Sequence, residues 1–318
     1  MKAVFLCALN NISSGDLKNP INLRLGNAEL PIIKITNKTS DIKPFLTQSL
    51  KEAIGKIEYE YLSAQAPFIA YCESEFNEQD ISPLEYLNLH LYILSTYLFC
   101  LWCVKDNAVD FELGFLKYTV NDETKCSSNL LSITNYTCLG ESTQSIFSSQ
   151  ELNKAAIFLE NNIEMQTEKN QSANIGKYGR ITIANYYIQH ARSCSDLGLK
   201  IASYCSALEC LFSNDNTELS HKLSERIALF LYTQSDDRIR TFKLIKQAYS
   251  FRSKVVHGDK LKEDKLKELT EVIKGIDNIC REIMNYAFKK KDNNIFEYTK
   301  DRHEEYFLNL LMAKEVKI

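Results

Sequence analysis

Seven apolar residues, Leu266, Leu269, Ile273, Ile276, Cys280, Ile283 and Ala287, follow one another in alternating steps of three and four. A stripe of that period, held over three heptads, suits a long helix with one face buried against other helices, and no strand repeats that way. Three shorter stripes precede it: Leu197, Ile201, Cys205, Leu208 and Phe212; Leu219, Leu223, Ile227, Phe230 and Leu231; Phe242, Ile245, Tyr249 and Val256. Asn214–Asn216 and Ser235–Asp237 separate them, Ser195 or Asp196 stands where a helix start is capped, and Gly258 stands where a helix end is capped. Such short loops imply antiparallel neighbours. Further helices are predicted over Ser149–Gln166 and Thr182–Cys194, with the polar stretch Glu168–Gly176 as a linker, and over Ile295–Met312.

The first 150 residues read differently. Ala3–Ala8 and Leu30–Thr36 have strand character between Asn-, Ser- and Gly-bearing turns. Leu50, Ile54, Ile57 and Tyr61 predict a helix over Thr47–Leu62, and Val109, Phe111, Leu113 and Phe115 alternate as in a half-buried strand over Ala108–Thr119. Residues 120–150, rich in Ser, Thr and Asn, read as loop. Pro83 opens a very apolar helix to Val104 whose uninterrupted run, Leu91–Val104, is shorter than the ~20 residues of a membrane span. A buried core helix is therefore expected, with no membrane partner. The fold class expected is mainly α, a C-terminal antiparallel helical bundle behind a mixed α+β N-terminal domain. The domains are placed at 1–150 and 151–318, and 318 residues suffice for both to bury a core.

The net charge of −3 conceals an asymmetry. Residues 241–293 hold 13 Lys and Arg against 8 Asp and Glu, a local excess of +5 that permits phosphate binding but is equally at home on a solvated helix face. Of the ten cysteines, Cys100, Cys103, Cys205 and Cys280 fall in apolar helical segments, where thiols pack as small hydrophobes. Together with a start that lacks a signal-peptide pattern, this predicts a reducing, cytoplasmic setting. The lone C-x2-C of Cys100 and Cys103 lacks a second pair close by, and no phosphate-binding glycine loop or His-Glu-x-x-His run occurs, so no metal and no cofactor are expected.

The informative break in pattern is Arg252. The stripe of its helix runs 242, 245, 249, 252, 256, and position 252 should be apolar. A guanidinium there costs desolvation unless it is paired or lines a cleft. Glu209, beside the Cys205–Leu208–Phe212 stripe, is a candidate partner, although a surface ion pair would serve as well. His257 follows five residues on, about 140° around an unbroken helix. Because Gly258 ends the helix, His257 is expected to leave the helical path and turn toward Arg252, at the negative end of the helix dipole. By spacing alone, an Arg and a His five apart are common.

Three segments in order make the pair more specific. Leu199-Lys200-Ile201 followed by Ala207-Leu208-Glu209 and Leu211-Phe212, then Glu218-Leu219-Ser220-His221-Lys222-Leu223 with Arg226 and Ala228, then Tyr249 with Arg252-Ser253 and Val256-His257-Gly258, resemble the signature of the Apea-like HEPN family. The resemblance spans residues 176–290. It implies a helical bundle, commonly a homodimer, whose Arg-x4-His motif faces its twin, and a metal-independent endoribonuclease of antiviral or toxin-like defence. Arg252 and His257 would be catalytic: His257 moves protons at the ribose 2′-OH and the leaving 5′-oxygen, while Arg252 holds the phosphate. The partner would be RNA and the product a 2′,3′-cyclic phosphate, with DNA resistant. Ser253 could donate a hydrogen bond or be simple surface, and Lys254 could meet phosphate or only water. His221 and Arg226 match positions that organise the bundle. Other members of the family have lost catalysis and act as RNA-binding or protein scaffolds, which is the alternative reading. The N-terminal domain is a candidate sensor of an activating trigger or partner.

Overall fold

The computed structural model describes residues 1–24, 31–121, 123–129, 131–162, 179–215, 217–260, 263–289 and 294–312. The chain is mainly helical, with an antiparallel sheet in its N-terminal part. It forms two compact units, residues 1–135 with 142–169, and residues 136–141 with 170–318.

The first unit is built on strands β1 (Lys2–Leu9), β3 (Ile21–Leu23), β4 (Ile33–Thr36), β5 (Phe68–Glu75), β6 (Gly114–Val120) and β7 (Glu123–Ser128). They lie in the order β3-β4-β5-β1-β6-β7, while β2 (Ile12–Ser13) and β8 (Ser145–Ile146) form a small parallel pair. Central β1 pairs with β5 and β6, Leu6 standing opposite Tyr71 on one side and Phe115 on the other. Because side chains alternate along a strand, β1 serves two cores. Phe5, Cys7 and Leu9 face the apolar helix α4 (Pro83–Val104) and α5 (Ser149–Asn162), and Leu6 and Ala8 face α1 (Thr39–Ile42), α2 (Gln48–Ile54) and α3 (Lys56–Glu60).

Helix α4 starts at Pro83 as expected, behind a capping box of Ser82 and Glu85. It is long and apolar enough to cross a membrane by composition, yet Leu87, Leu91, Leu94, Tyr97 and Leu101 are spent on the sheet. Cys100 and Cys103 of this helix are buried and not disulfide-bonded, and burial raises the Cys100 pKa.

Several local expectations are corrected. The helix predicted over 47–62 breaks at Gly55, which has φ +92°, and ends in a π turn at Tyr61–Gln65, so Ile57 is 78% exposed instead of joining the stripe. The strand expected at Ala108 begins only at Gly114 and leaves Leu113 exposed, and residues 120–150 contain β7, a strand of polar residues at the sheet edge that carries no apolar alternation. The helix predicted from Ser149 does start there, with Ser148 capping it by exchanging hydrogen bonds with Glu151. Leu152, Ala155 and Leu159 of α5 pack into the sheet core, so the first unit continues past residue 150. The proposed linker 168–176 and the end of the predicted helix at 163–166 lie outside the described residues.

The second unit packs α6 (Arg180–Ser193), α7 (Leu197–Phe212), α8 (Leu219–Leu231), α9 (Ser235–Val256), α10 (Asp264–Lys289) and α11 (Lys300–Leu311). Helix α7 is central and touches α6, α8, α9 and α10. Asp196 caps its start by accepting from the Leu199 N–H. The Tyr204 hydroxyl donates to buried Asp277 at 2.7 Å, tying α7 to α10, and Lys200 Nζ donates to the Ala191 carbonyl of α6 at 2.7 Å. Close approach of α10 to α9 depends on Gly275, whose added Cβ would lie 2.6 Å from Leu244. In the seven-residue stripe of α10, Leu269, Ile273, Ile276, Cys280, Ile283 and Ala287 are buried as expected, but Leu266 is exposed in the first turn of the helix.

Candidate functional site

Helix α9 buries Thr241, Ile245, Ala248, Tyr249 and Phe251. Arg252 is next to that face, half-buried, with its side chain 32% exposed. Its Nη2 lies 3.5 Å from Glu209 Oε1 on α7, so the carboxylate singled out from sequence is the ion-pair partner. The same Glu209 oxygen accepts a 2.6 Å hydrogen bond from the Tyr249 hydroxyl. Burial, then the neighbouring Cys205 and Glu209, raise the Tyr249 pKa, which keeps its hydroxyl protonated as a donor. Arg252 Nε is buried and has no hydrogen-bond partner among the described residues. The guanidinium thus spends one edge on Glu209 and keeps donor capacity.

The end of α9 is a Schellman closure. The Asp259 N–H reaches back to the Lys254 carbonyl at 2.9 Å, the Gly258 N–H to the Val255 carbonyl at 3.0 Å, and Gly258 takes φ +76°. His257 precedes that turn. Its N–H still bonds the Ser253 carbonyl at 3.1 Å and its own φ and ψ are −85° and 0°, so the chain leaves the helix after His257 rather than before it. The expected swing toward Arg252 is therefore absent. By helix geometry the two side chains project about 140° apart, and no hydrogen bond or ion pair joins them among the described residues. The His257 side chain is exposed.

Ser253 is an exposed surface residue, and Lys254 lies partly exposed with its Nζ 6.0 Å from the Phe251 ring. Val256, counted in the apolar stripe, is 56% exposed. Its neighbour Val255 instead packs on α7, within 3.0 Å of where a Cβ on Gly198 would stand. The local excess of positive charge is partly spent: Lys265 pairs with Glu268 at 2.7 Å and Lys274 with Glu271 at 2.8 Å. Lys243, Lys246 and Lys254 of α9 form no ion pair among the described residues.

Of one further cluster the sequence named only Arg226. Arg226 of α8 donates to the Phe212 carbonyl at 2.8 Å and pairs with Glu304 of α11. Arg180 of α6 donates to the Cys210 and Ser213 carbonyls and to Asn214, whose amide donates to Glu304 at 2.6 Å. His303, fully buried, lies 3.0 Å from the Leu211 carbonyl through Nε2 and 3.0 Å from the Asn214 amide through Nδ1. The network fastens α11 to the end of α7 and to α8. His303 carries no helical-stripe or motif signal, which is why the sequence offers no hint of it.

Burial, then the positive charge of Arg180, depresses the His303 pKa to about 4. Glu304 is lowered too: burial opposes its charge, but the hydrogen bonds from Arg226 and Asn214 outweigh it. Both folded values lie below the unfolded ones, so the unfolded chain takes up protons first as pH falls. Stability should be complete above about pH 6.5 and decline toward pH 4, by about 3 kcal/mol from His303. Urea unfolding at pH 7 and pH 4.5 checks this, and His303→Gln should flatten the dependence.

Comparison with family models, with curated proteins and with solved structures finds no match to this chain.

Proposed function

We propose that the second unit is a HEPN-type, metal-independent endoribonuclease acting in antiviral or toxin-like defence, with Arg252 and His257 as its catalytic residues. The observation that carries the reading is the end of α9. An imidazole with no hydrogen bond or ion pair among the described residues stands exposed at a closed helix terminus, and a turn and a half back a half-buried guanidinium is held in place by Glu209 with a donor to spare.

The outer face of α9 supports an RNA path to that end. At 100° per residue, Lys246, Ser250, Ser253 and His257 fall within about 40° of one line, with Lys243 and Lys254 together along one side of it. From Lys243 to His257 the line is about 21 Å long, enough to follow several phosphates of a single strand. Because one chain directs Arg252 and His257 apart, the reactive phosphate would sit between the α9 ends of two copies, each supplying the group the other lacks in that cleft.

The chemistry needs little more. The ribose 2′-OH is an internal nucleophile already near phosphorus, so orientation alone lowers the barrier. His257 accepts the 2′ proton, or donates to the departing 5′-oxygen. Arg252, a forked donor, binds the phosphate oxygens as charge accumulates on them. The purified chain should cut single-stranded RNA with EDTA present and leave the matching DNA intact. Cleavage abolished by EDTA, or DNA cut equally, would reject the proposal.

A second reading has an observation of its own. Glu209 already neutralises Arg252, as in a structural ion pair, and this favours a catalytically silent scaffold that binds RNA or a partner protein. In that case RNA would bind without turnover and equally well to His257→Ala.

A further inference from the structure

The sheet face of the first unit that lies opposite α4 holds a cavity of about 310 Å³. Its floor is Ala8, Leu62 and Phe115, all buried, and its apolar rim is Ile57 and Leu113, both exposed. Glu58 of α3 and Glu112, just before β6, flank the opening. Asn10 and Tyr61, hydrogen-bonded to each other, close one wall.

Among the described residues, no side chain neutralises these carboxylates: neither Glu58 nor Glu112 forms an ion pair or side-chain hydrogen bond there. A third carboxylate stands behind the wall. Asp110 pairs with Asn10 in an isolated antiparallel bridge, and residues opposite each other in such a bridge project to the same face. Asp110 is only 8% exposed, and its Oδ1 has no hydrogen-bond partner among the described residues. Its negative charge and that of Glu112 both act on Tyr61, after burial, to raise the phenol's pKa.

An opening with this composition is wrong for an anion, whose charge three carboxylates oppose. It is also poor for a bare metal ion, which takes six or more oxygens around a compact centre, because half the lining here is hydrocarbon. It suits a ligand with a positive head and an apolar body, since the volume is near the lower end for small-molecule sites. We propose that this cavity binds a small organic cation, an ammonium or guanidinium group carried on an aromatic or aliphatic body. The head lies between Glu58 and Glu112, within reach of the Tyr61 ring face. The body lies on Leu62 and Phe115. This site belongs to the first unit and does not depend on RNA cleavage by the second.

The test uses the full chain and three probes of one shape: 2-phenylethylamine, 2-phenylethanol and 3-phenylpropionate. Saturation-transfer NMR and calorimetry should show binding of the amine alone. Glu58→Gln and Glu112→Gln should each weaken it about tenfold. Glu60→Gln, on the same short helix but outside the cavity, should leave it unchanged. The two cavity variants remove charges that form no ion pair among the described residues, Glu112 exposed and Glu58 partly so, so thermal melting should report them folded. Nα-acetyl-lysine methylamide serves as a thin-stemmed competitor. Equal binding of the alcohol or the acid, or an amine affinity unmoved by both substitutions, would overturn the proposal. Tighter binding of the lysine derivative than of phenylethylamine would also overturn it, by making the cavity a socket for a protein side chain.

Discussion

His257→Ala is expected to slow RNA cleavage about a thousandfold, the usual contribution of a positioned acid–base group. Helical content and unfolding midpoint should stay unchanged, because the ring is exposed and makes no hydrogen bond or ion pair among the described residues. Arg252→Ala should cost a similar factor, about 10²–10³, by removing the donor that meets charge on the phosphate. Arg252→Lys tests the geometry: it keeps the charge but not the fork, so it should restore binding far better than rate. In Arg252→Ala the Tyr249 hydroxyl still satisfies Glu209, so the fold should survive. Single-turnover cleavage beside circular dichroism separates loss of chemistry from loss of structure. Undiminished cleavage in both alanine variants would remove these residues from the reaction.

Phe212→Ala should produce the largest loss of stability in the second unit, about 3–5 kcal/mol. Phe212 is fully buried at the end of α7, with Phe230, Phe296 and Phe307 at centroid distances of 5.4, 5.3 and 5.8 Å. Its removal opens a void that three aromatic rings cannot fill without losing contacts to one another. The Phe212 carbonyl is also where Arg226 anchors α8. Urea unfolding followed by circular dichroism should show a shifted transition for the helical unit, while Phe212→Leu should recover much of the loss. A decrease below about 1 kcal/mol would mean that the aromatic cluster is not the keystone its burial implies.

The long helices were legible because their packing imposes a period on the residues themselves. The seam through Leu269, Ile276, Cys280 and Ile283 could be satisfied in only one way, and α10 is that helix. Legibility failed where geometry depends on something other than apolar spacing. Gly55 has a positive φ that divides one amphipathic stripe into two short helices, and the period alone gave no warning. The edge strand β7 is held by backbone pairing to β6, so Glu123–Ser128 needs no apolar alternation. Helix α5 is amphipathic whichever unit it joins; its position in the first core follows from three-dimensional contact that its own sequence does not encode.

The candidate site was legible to the same extent. Arg252 stood out because a charge interrupted an apolar stripe, and Glu209 was within reach of it on the neighbouring stripe. The Tyr249 hydroxyl was hidden, since a tyrosine at core spacing reads as hydrophobic. The direction of His257 was misread by one residue, because a Schellman closure turns the chain at Gly258 and leaves the residue before it nearly helical.

The most direct measurement is the chemistry of the RNA ends. Single-stranded RNA is incubated with the purified chain in EDTA, beside a matched strand carrying 2′-deoxy sugars and beside His257→Ala. The expected result is a 2′,3′-cyclic phosphate from the ribose strand alone, lost in the variant. A 3′-hydroxyl with a 5′-phosphate, or cleavage of the 2′-deoxy strand, would contradict attack by the 2′-OH and with it the role given to Arg252 and His257.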